Sequence, residues 1–349
     1  MSDDTHPTGE ERDIVVHVPA RAALAGNPSD GYGGAVVAVP IPELAATVRL
    51  TASERFEIGD EPTTFDTLDA LISTVDRRGF GDEIPSLVLA AIRSVVRLTD
   101  VRPAPCRIDV STTIPRSVGL AGSSAVVVGV IEALARSASI DGRAQVTPLH
   151  SRRAVAVVAH AAEVEELGIA AGLQDRLVQS HREPVLMDFD IATTDTVLGR
   201  RCGRTTPLAP VPGDLVVGWR ATASAASGTV HGSLRSRADD EDVLLAMSDL
   251  GRVGRSAADA IDRRDLDDLA RAMDRTFDVR RSLIDLDPSH VEMIEAVRAA
   301  GGHANYTGSG GAVVALGPLG TADRWRSALT ELTGVDALTI ETPTMRHPA

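Results

Sequence analysis

Residues 114–134 read IPRSVGLAGSSAVVVGVIEAL. Gly119 and Gly122 permit tight turns, Ser123 and Ser124 suit a helix start, and the Ala/Val-rich continuation predicts a helix to about Arg136. A glycine turn feeding a helix N-terminus aims several unpaired backbone N–H groups and a positive dipole end at one point, which suits a phosphate. The dipole alone contributes only ~0.3–1 kcal/mol at an exposed site, so backbone hydrogen bonds must supply most of the grip. Taken by itself, the stretch also fits a tight strand-to-helix turn whose small residues serve packing.

Working outward, Cys106–Thr112 alternates like a half-buried strand, and periodicity predicts helices over 64–77 and 85–98. Strands are expected at 14–18, 35–39, 46–50 and 55–58, with a Pro/Gly-rich turn from Pro19 to Gly34. Beyond the central helix come a long helix over 148–167, with proline in its first turn, and strands at 185–189 and 215–219. The loop-like stretch 191–213 is the best candidate for a boundary. Helices near 240–263, 265–285 and 289–300, a strand at 312–316, a helix at 321–332 and a strand at 337–341 complete a mixed α+β chain. Residues 1–12 read as a charged disordered tail, which leaves two domains at 13–205 and 206–349.

Composition limits the chemistry. The 349 residues carry 35 basic side chains, every one an arginine, against 49 acidic ones, a net charge of −14. Without lysine there is no Walker-A loop and no Schiff-base enzyme. Two cysteines make no disulfide framework and match no metal-ligand spacing, so a cytoplasmic, reducing compartment is the default. The acidic start is no signal peptide, and the apolar runs are too short to span a bilayer. So acidic a chain is a poor binder of nucleic acid or anionic lipid. Any anionic ligand must be held locally, against the overall field.

Two further motifs flank the central one: VPARAALAGNPSDGYGG at 18–34 and NYTGSGGAVVAL at 305–316. The three in this order resemble the GHMP small-molecule kinases. GNPSD with its following tyrosine, GIAAGLQDRLVQ, SGTVH…LR and FDVRRS resemble the glucuronokinase branch of that superfamily. The resemblance implies a GHMP fold: an N-terminal α/β domain with a left-handed βαβ crossover, plus a ferredoxin-like C-terminal domain. It implies phosphorylation of the anomeric hydroxyl of glucuronic acid to the 1-phosphate, with ATP and Mg²⁺, by a monomer or homodimer that engages neither nucleic acid nor membrane. Another sugar 1-kinase, of arabinose or galactose type, and a non-catalytic ligand sensor remain alternatives.

Carried over position by position, the resemblance makes Asp175 the catalytic aspartate, acting as a base or as an orienting group, with Arg21 beside it. Pro115, Gly119, Leu120, Ala121, Gly122, Ser123, Ser124 and Ala125 form the nucleotide loop. Glu163, twelve residues before Asp175, would bind Mg²⁺ with Ser123 or Ser124, while Glu165 and Glu166 read as a solvated face. Asn27, Ser29, Asp30 and Tyr32 correspond to the sugar-binding stretch, although they are also favoured turn formers. A sugar carboxylate needs a guanidinium, and Arg235, Arg280 and Arg281 are the candidates. His231 ranks low as a ligand. Gly308, Ser309, Gly310 and Gly311 form the third turn, by phosphate and substrate.

Overall fold

The computed structural model describes residues 13–59, 62–78, 84–140, 148–220, 237–308 and 310–341. The expected tail and the Arg235, His231 and Ser309 positions lie outside these residues. The first strand, β1 (Ile14–Ala25), continues through the motif that the sequence reading took for a turn, and pairs antiparallel with an 18-residue strand, β2 (Ala35–Ala52). Where two strands are expected, at 35–39 and 46–50, β2 runs on through Pro40 and Pro42. The ladder jumps from Pro19↔Ala45 to Ala20↔Ile41, and the irregularity takes up Pro42, which has no N–H to offer, while Pro40 stays in register opposite Arg21.

The opening residues of β2 pair with β6 (Val185–Asp188), and its last seven pair with β5 (Cys106–Thr112). Both are antiparallel to β2 and so run parallel to each other. β3 (Phe56–Ile58), β4 (Thr63–Phe65) and β9 (Arg204–Pro207) complete a seven-stranded sheet, while β7 (Asp195–Val197) and β8 (Arg200–Cys202) form a small hairpin. The 64–77 expectation divides between β4 and a helix, α1 (Leu68–Arg78), and is followed by α2 (Ile84–Leu98).

The crossover from β5 to β6 carries the informative elements. α3 (Gly122–Ile140) packs on β1 and β2, with Ala125, Val126, Val127, Val128, Val130 and Ile131 all buried, as an apolar helix requires. The single helix expected over 148–167 is three pieces: a 3-10 turn (Pro148–His150), α4 (Arg152–Ala161) and a π-helical turn (Ala162–Glu166). α5 (Gln174–His181), too short for periodicity to reveal, follows.

β10 (Asp214–Arg220) opens a second sheet with β11 (His303–Tyr306), β12 (Ala312–Gly317) and β13 (Val335–Ile340), in the order β11-β12-β10-β13 and antiparallel throughout. With α6 (Glu241–Arg263), α7 (Leu266–Leu283) and α8 (Pro288–Ala299) between β10 and β11, and α9 (Ala322–Thr330) between β12 and β13, the described residues form a ferredoxin-like arrangement with two added helices.

The two sheets are stitched where β1 ends. Ala23 N donates to the Thr307 carbonyl at 2.9 Å, and Asn305 Nδ2 donates to the Leu24 carbonyl at 3.1 Å. Among the described residues no helix is long and apolar enough to cross a membrane.

Candidate active site

The loop before α3 is built from left-handed residues: Ser117 (φ 59°), Gly119 (φ 81°) and Ala121 (φ 61°). Gly119 is required by space as well as by its φ, since a Cβ there would stand 2.4 Å from the Gly310 carbonyl oxygen. Gly311 (φ 88°) is confined in the same way, its Cβ falling 2.9 Å from Val118 Cα. The second and third glycine turns are therefore interlocked, backbone against backbone. Gln179 Nε2, on α5, ties the first of them down by donating to the carbonyls of Ala121 at 2.9 Å and Pro19 at 3.2 Å.

Behind this loop lies a cavity of about 600 Å³, into which the α3 N-terminus (Gly122, Ser123, Ser124) opens. Its walls carry four arginines (Arg21, Arg116, Arg176, Arg280) against three acids (Asp30, Glu163, Asp175). A chain of strongly negative charge thus keeps a locally cationic cavity, with the helix N-terminus adding to the same sign.

On its floor, Arg21 Nε donates to Asp175 Oδ1 at 2.6 Å, and Arg21 Nη1 donates to the carbonyls of Gly119 and Thr307, both at 2.7 Å. A buried guanidinium is costly unless its donors are satisfied, and here one acid and two rigid carbonyls satisfy it. Asp175 sits in the first turn of α5 with its side chain 18% exposed, within reach of a ligand. Asp30 lies nearby with its carboxyl pushed up to about 6, chiefly by burial, then by the charge of Asp175, against backbone hydrogen bonds and Arg21.

Glu163 is the second residue of the π-helical turn and is fully buried. Its Oε1 accepts from Ser123 Oγ at 2.9 Å and Ser124 Oγ at 3.3 Å, and its Oε2 accepts from Arg176 Nε at 2.6 Å. Glu165 and Glu166 point elsewhere: Glu165 pairs with Arg97 and Arg200, Glu166 with Arg93 and Arg97. The Glu166 side chain is only 4% exposed, so the expected solvated face is half wrong.

Opposite, Arg280 on α7 is buried, donates from Nη1 to the Gly308 carbonyl at 2.6 Å and stands 5.0 Å from the Tyr306 ring centre. Burial lowers its pKa to about 10, leaving it charged at neutral pH. His290 lies under the third glycine turn, where Nδ1 faces the Gly311 N–H at 3.4 Å, and burial lowers its pKa.

Of the expected residues, the structure brings Arg21, Asn27, Asp30, Pro115, Gly119, Leu120, Ala121, Gly122, Ser123, Ser124, Glu163, Asp175, Arg280 and Gly308 to the cavity wall. Others lie away from it. Ser29 is buried and donates to the Ala35 carbonyl at 3.3 Å, Tyr32 packs against the apolar cluster of Val243 and Met247, and Ala125 is core. Arg281 is half exposed and donates to Glu295 at 3.0 Å, away from the cavity. Sequence reasoning missed Arg176, Thr307 and Gln179. Arg176 adjoins Asp175, so a search of the residues flanking the aspartate would have raised it. Thr307 and Gln179 act through long-range contacts that leave no local signal.

For a divalent cation, Glu163 Oε1 with the Ser123 and Ser124 hydroxyls is a hard-oxygen donor set. Among the described residues no trio of His, Cys, Asp or Glu is grouped to hold a metal. One carboxylate and two hydroxyls fit an ion that keeps phosphate oxygens and water as its other ligands, as Mg²⁺ does.

The profile described as "GHMP kinases N terminal domain" matches residues 86–181, and "GHMP kinases C terminal" matches residues 257–333. Glucuronokinase 1 of Arabidopsis thaliana is 31% identical over 316 residues, which span 86% of this chain and 84% of that protein. Probable glucuronokinase 2 of the same plant is 30% identical over 329 residues, spanning 90% and 87%. Among solved structures, Lactococcus lactis galactokinase complexed with galactose superposes with a TM-score of 0.73 at 14% identity, covering 96% of this chain and 95% of that one. Streptococcus pneumoniae phosphomevalonate kinase in complex with phosphomevalonate and AMPPNP gives 0.71 at 17%, covering 94% and 100%. At such identities these two likenesses speak for the fold.

Proposed function

The chain belongs to the GHMP kinases, phosphotransferases with an alcohol group as acceptor, and from that membership we propose that it moves the γ-phosphoryl group of ATP to the anomeric hydroxyl of glucuronic acid. The observation that carries the chemistry is the Arg21–Asp175 pair at the cavity floor, joined through the Arg176 guanidinium to the Glu163–serine cluster at the α3 N-terminus.

In this reading the amides of the 119–124 loop and the α3 N-terminus hold the nucleotide phosphates. Glu163 Oε1, Ser123 and Ser124 hold Mg²⁺, which when bound neutralises phosphate charge. Asp30 and Asn27 position the sugar. Asp175 accepts the proton of the anomeric hydroxyl as its oxygen bonds to the γ-phosphorus and the bond to the bridging β,γ-oxygen breaks, giving glucuronate 1-phosphate and ADP. Arg21 fixes that carboxylate, and its charge faces the transferring group. Phosphoryl transfer depends mainly on such positioning.

Arg280 takes the sugar carboxylate. It is the candidate that lies both among the described residues and on the cavity wall, and it is already charged and immobilised by Gly308. The curated relatives, both glucuronokinases by name, support the same acceptor.

Comparing kcat/KM for glucuronate and glucose at saturating MgATP tests the acceptor. A site built around a carboxylate should prefer glucuronate by at least ~100-fold. Equal values would overturn the sugar-acid assignment and favour a neutral-sugar 1-kinase. Phosphorus NMR of the product checks that the ester is anomeric.

A further inference from the structure

We propose that Arg176 is a positioning residue that couples the two halves of the cavity, so that filling the phosphate–cation side strengthens acceptor binding and the reverse. The proposal rests on reading those halves as nucleotide and sugar-acid sites. Arg176 follows Asp175 directly, but its guanidinium turns away from solvent, leaving 3% of the side chain exposed.

Its donors go to separate elements of the site. Nε donates to Glu163 Oε2 at 2.6 Å, and Nη2 meets the same oxygen. Nη1 donates to the Gly172 carbonyl at 2.7 Å and lies 3.8 Å from Asp175 Oδ2. Gly172 in turn is pressed against Asp30: a Cβ at Gly172 would stand 2.4 Å from Asp30 Oδ2. One planar group therefore touches the candidate cation ligand, the backbone behind the candidate sugar ligand, and the candidate base.

A guanidinium is a rigid fork, so its contacts cannot be rearranged one at a time. It is also buried, and letting go of Glu163 would leave two opposite charges without compensation. Because Arg176 occupies Oε2, Glu163 offers Oε1, with its two serine hydroxyls, to a cation. A cation there fixes the carboxylate, the carboxylate fixes the fork, and the fork fixes Gly172 against Asp30 before the sugar arrives. Ordering paid at one site need not be paid again at the other, and linkage makes the effect reciprocal.

The test is calorimetric titration of glucuronate into the full chain, without and then with saturating Mg·AMPPNP. Wild-type protein should bind glucuronate ~10-fold more tightly with the nucleotide present. Arg176→Gln, with native circular dichroism, should bind each ligand singly while that factor falls below ~2. Arg176→Lys keeps the charge but lacks the fork, and should lose the factor as well. Gly172→Ala disturbs Asp30 without touching Glu163. It should weaken glucuronate binding, lower the factor below ~2 and leave Mg·AMPPNP affinity in the absence of sugar unchanged, and an undiminished factor here overturns the coupling even if Arg176→Gln does not fold. An undiminished factor in either Arg176 variant, or no factor in wild-type protein that binds both ligands, overturns the coupling alone. Failure of wild-type protein to bind either ligand overturns the functional reading and the coupling with it.

Discussion

The arginines of the cavity and those of the shallow groove between α6 and α7 put the same side chain to different use. In the groove, Asp249 pairs with Arg252 and Arg275, and Asp268 pairs with Arg263 and Arg271, all four guanidinium side chains being 57–72% exposed. In the cavity, the Arg21 and Arg176 side chains are 5% and 3% exposed and bond to backbone carbonyls as well as to acids. Exposed pairs trade water contacts for each other at little net gain, whereas a buried cation commits everything around it. In a chain without lysine, surroundings alone separate a structural charge from a working one.

The sharpest way to break that contrast is Asp175→Asn. Turnover should fall at least ~100-fold, the order seen when a single acid–base group is lost. Mg·AMPPNP affinity should stay within ~2-fold, because Arg21 keeps its two carbonyl acceptors and the loop keeps its shape. Full activity in this variant would place the proton acceptor elsewhere.

A smaller effect concerns Asp30. Its carboxyl is pushed up to about 6 in the folded chain, above the usual carboxylate range, so the folded state binds more protons than the unfolded state between about pH 4 and 6. Stability attributable to this group is present at low pH and declines as pH rises through that window, leaving an ionised Asp30 as a cost at neutral pH. Asp30→Asn should therefore be more stable than wild type by roughly 1–3 kcal/mol at pH 7. The advantage should vanish near pH 4, while glucuronate binding weakens throughout. Thermal melts of both proteins across the range measure it, and an advantage that does not change with pH would refute the assignment.

Least of all should follow from Arg271→Gln in the groove. Its pairing with Asp268 is exposed, so stability should change by less than ~0.5 kcal/mol and kcat/KM not at all. A loss above ~1 kcal/mol in chemical denaturation would mean that the groove is no ordinary surface.

What could be read in advance divides along similar lines. The three glycine motifs were legible because turn chemistry is local: the positive φ of Gly119 marks it as glycine, although the Gly310 carbonyl that also demands it is distant in the chain. The extension of β1 to Ala25 was not, because Pro19 and Ala20 look like a turn until β2 supplies a ladder that tolerates the irregularity. Likewise EVEE reads as one charged face. Glu163 and Glu166 are buried and Glu165 is left outside because of partners on α2, α3 and α5 that no local pattern announces. Ser29 and Tyr32 sit in a sugar-kinase motif but lie off the cavity wall, Ser29 bonded to Ala35 and Tyr32 against Val243 and Met247, since a motif names neighbours in the chain and not the direction of each side chain.

The seam at the end of β1 limits how this molecule can breathe. Among the described residues, hydrogen bonds cross it from Ala23 N and Arg21 Nη1 to Thr307, from Asn305 to Leu24 and Asn27, and from Asn27 to Tyr306, and those from side chains are buried. Parting the sheets would strand these groups away from water. The cavity therefore has a fixed floor, and admission of ligands falls to its rim: the 167–172 segment, the start of α2 and the turn at 115–117. The lip of the vessel is its exposed part, while the candidate base and its arginine are tied to the floor.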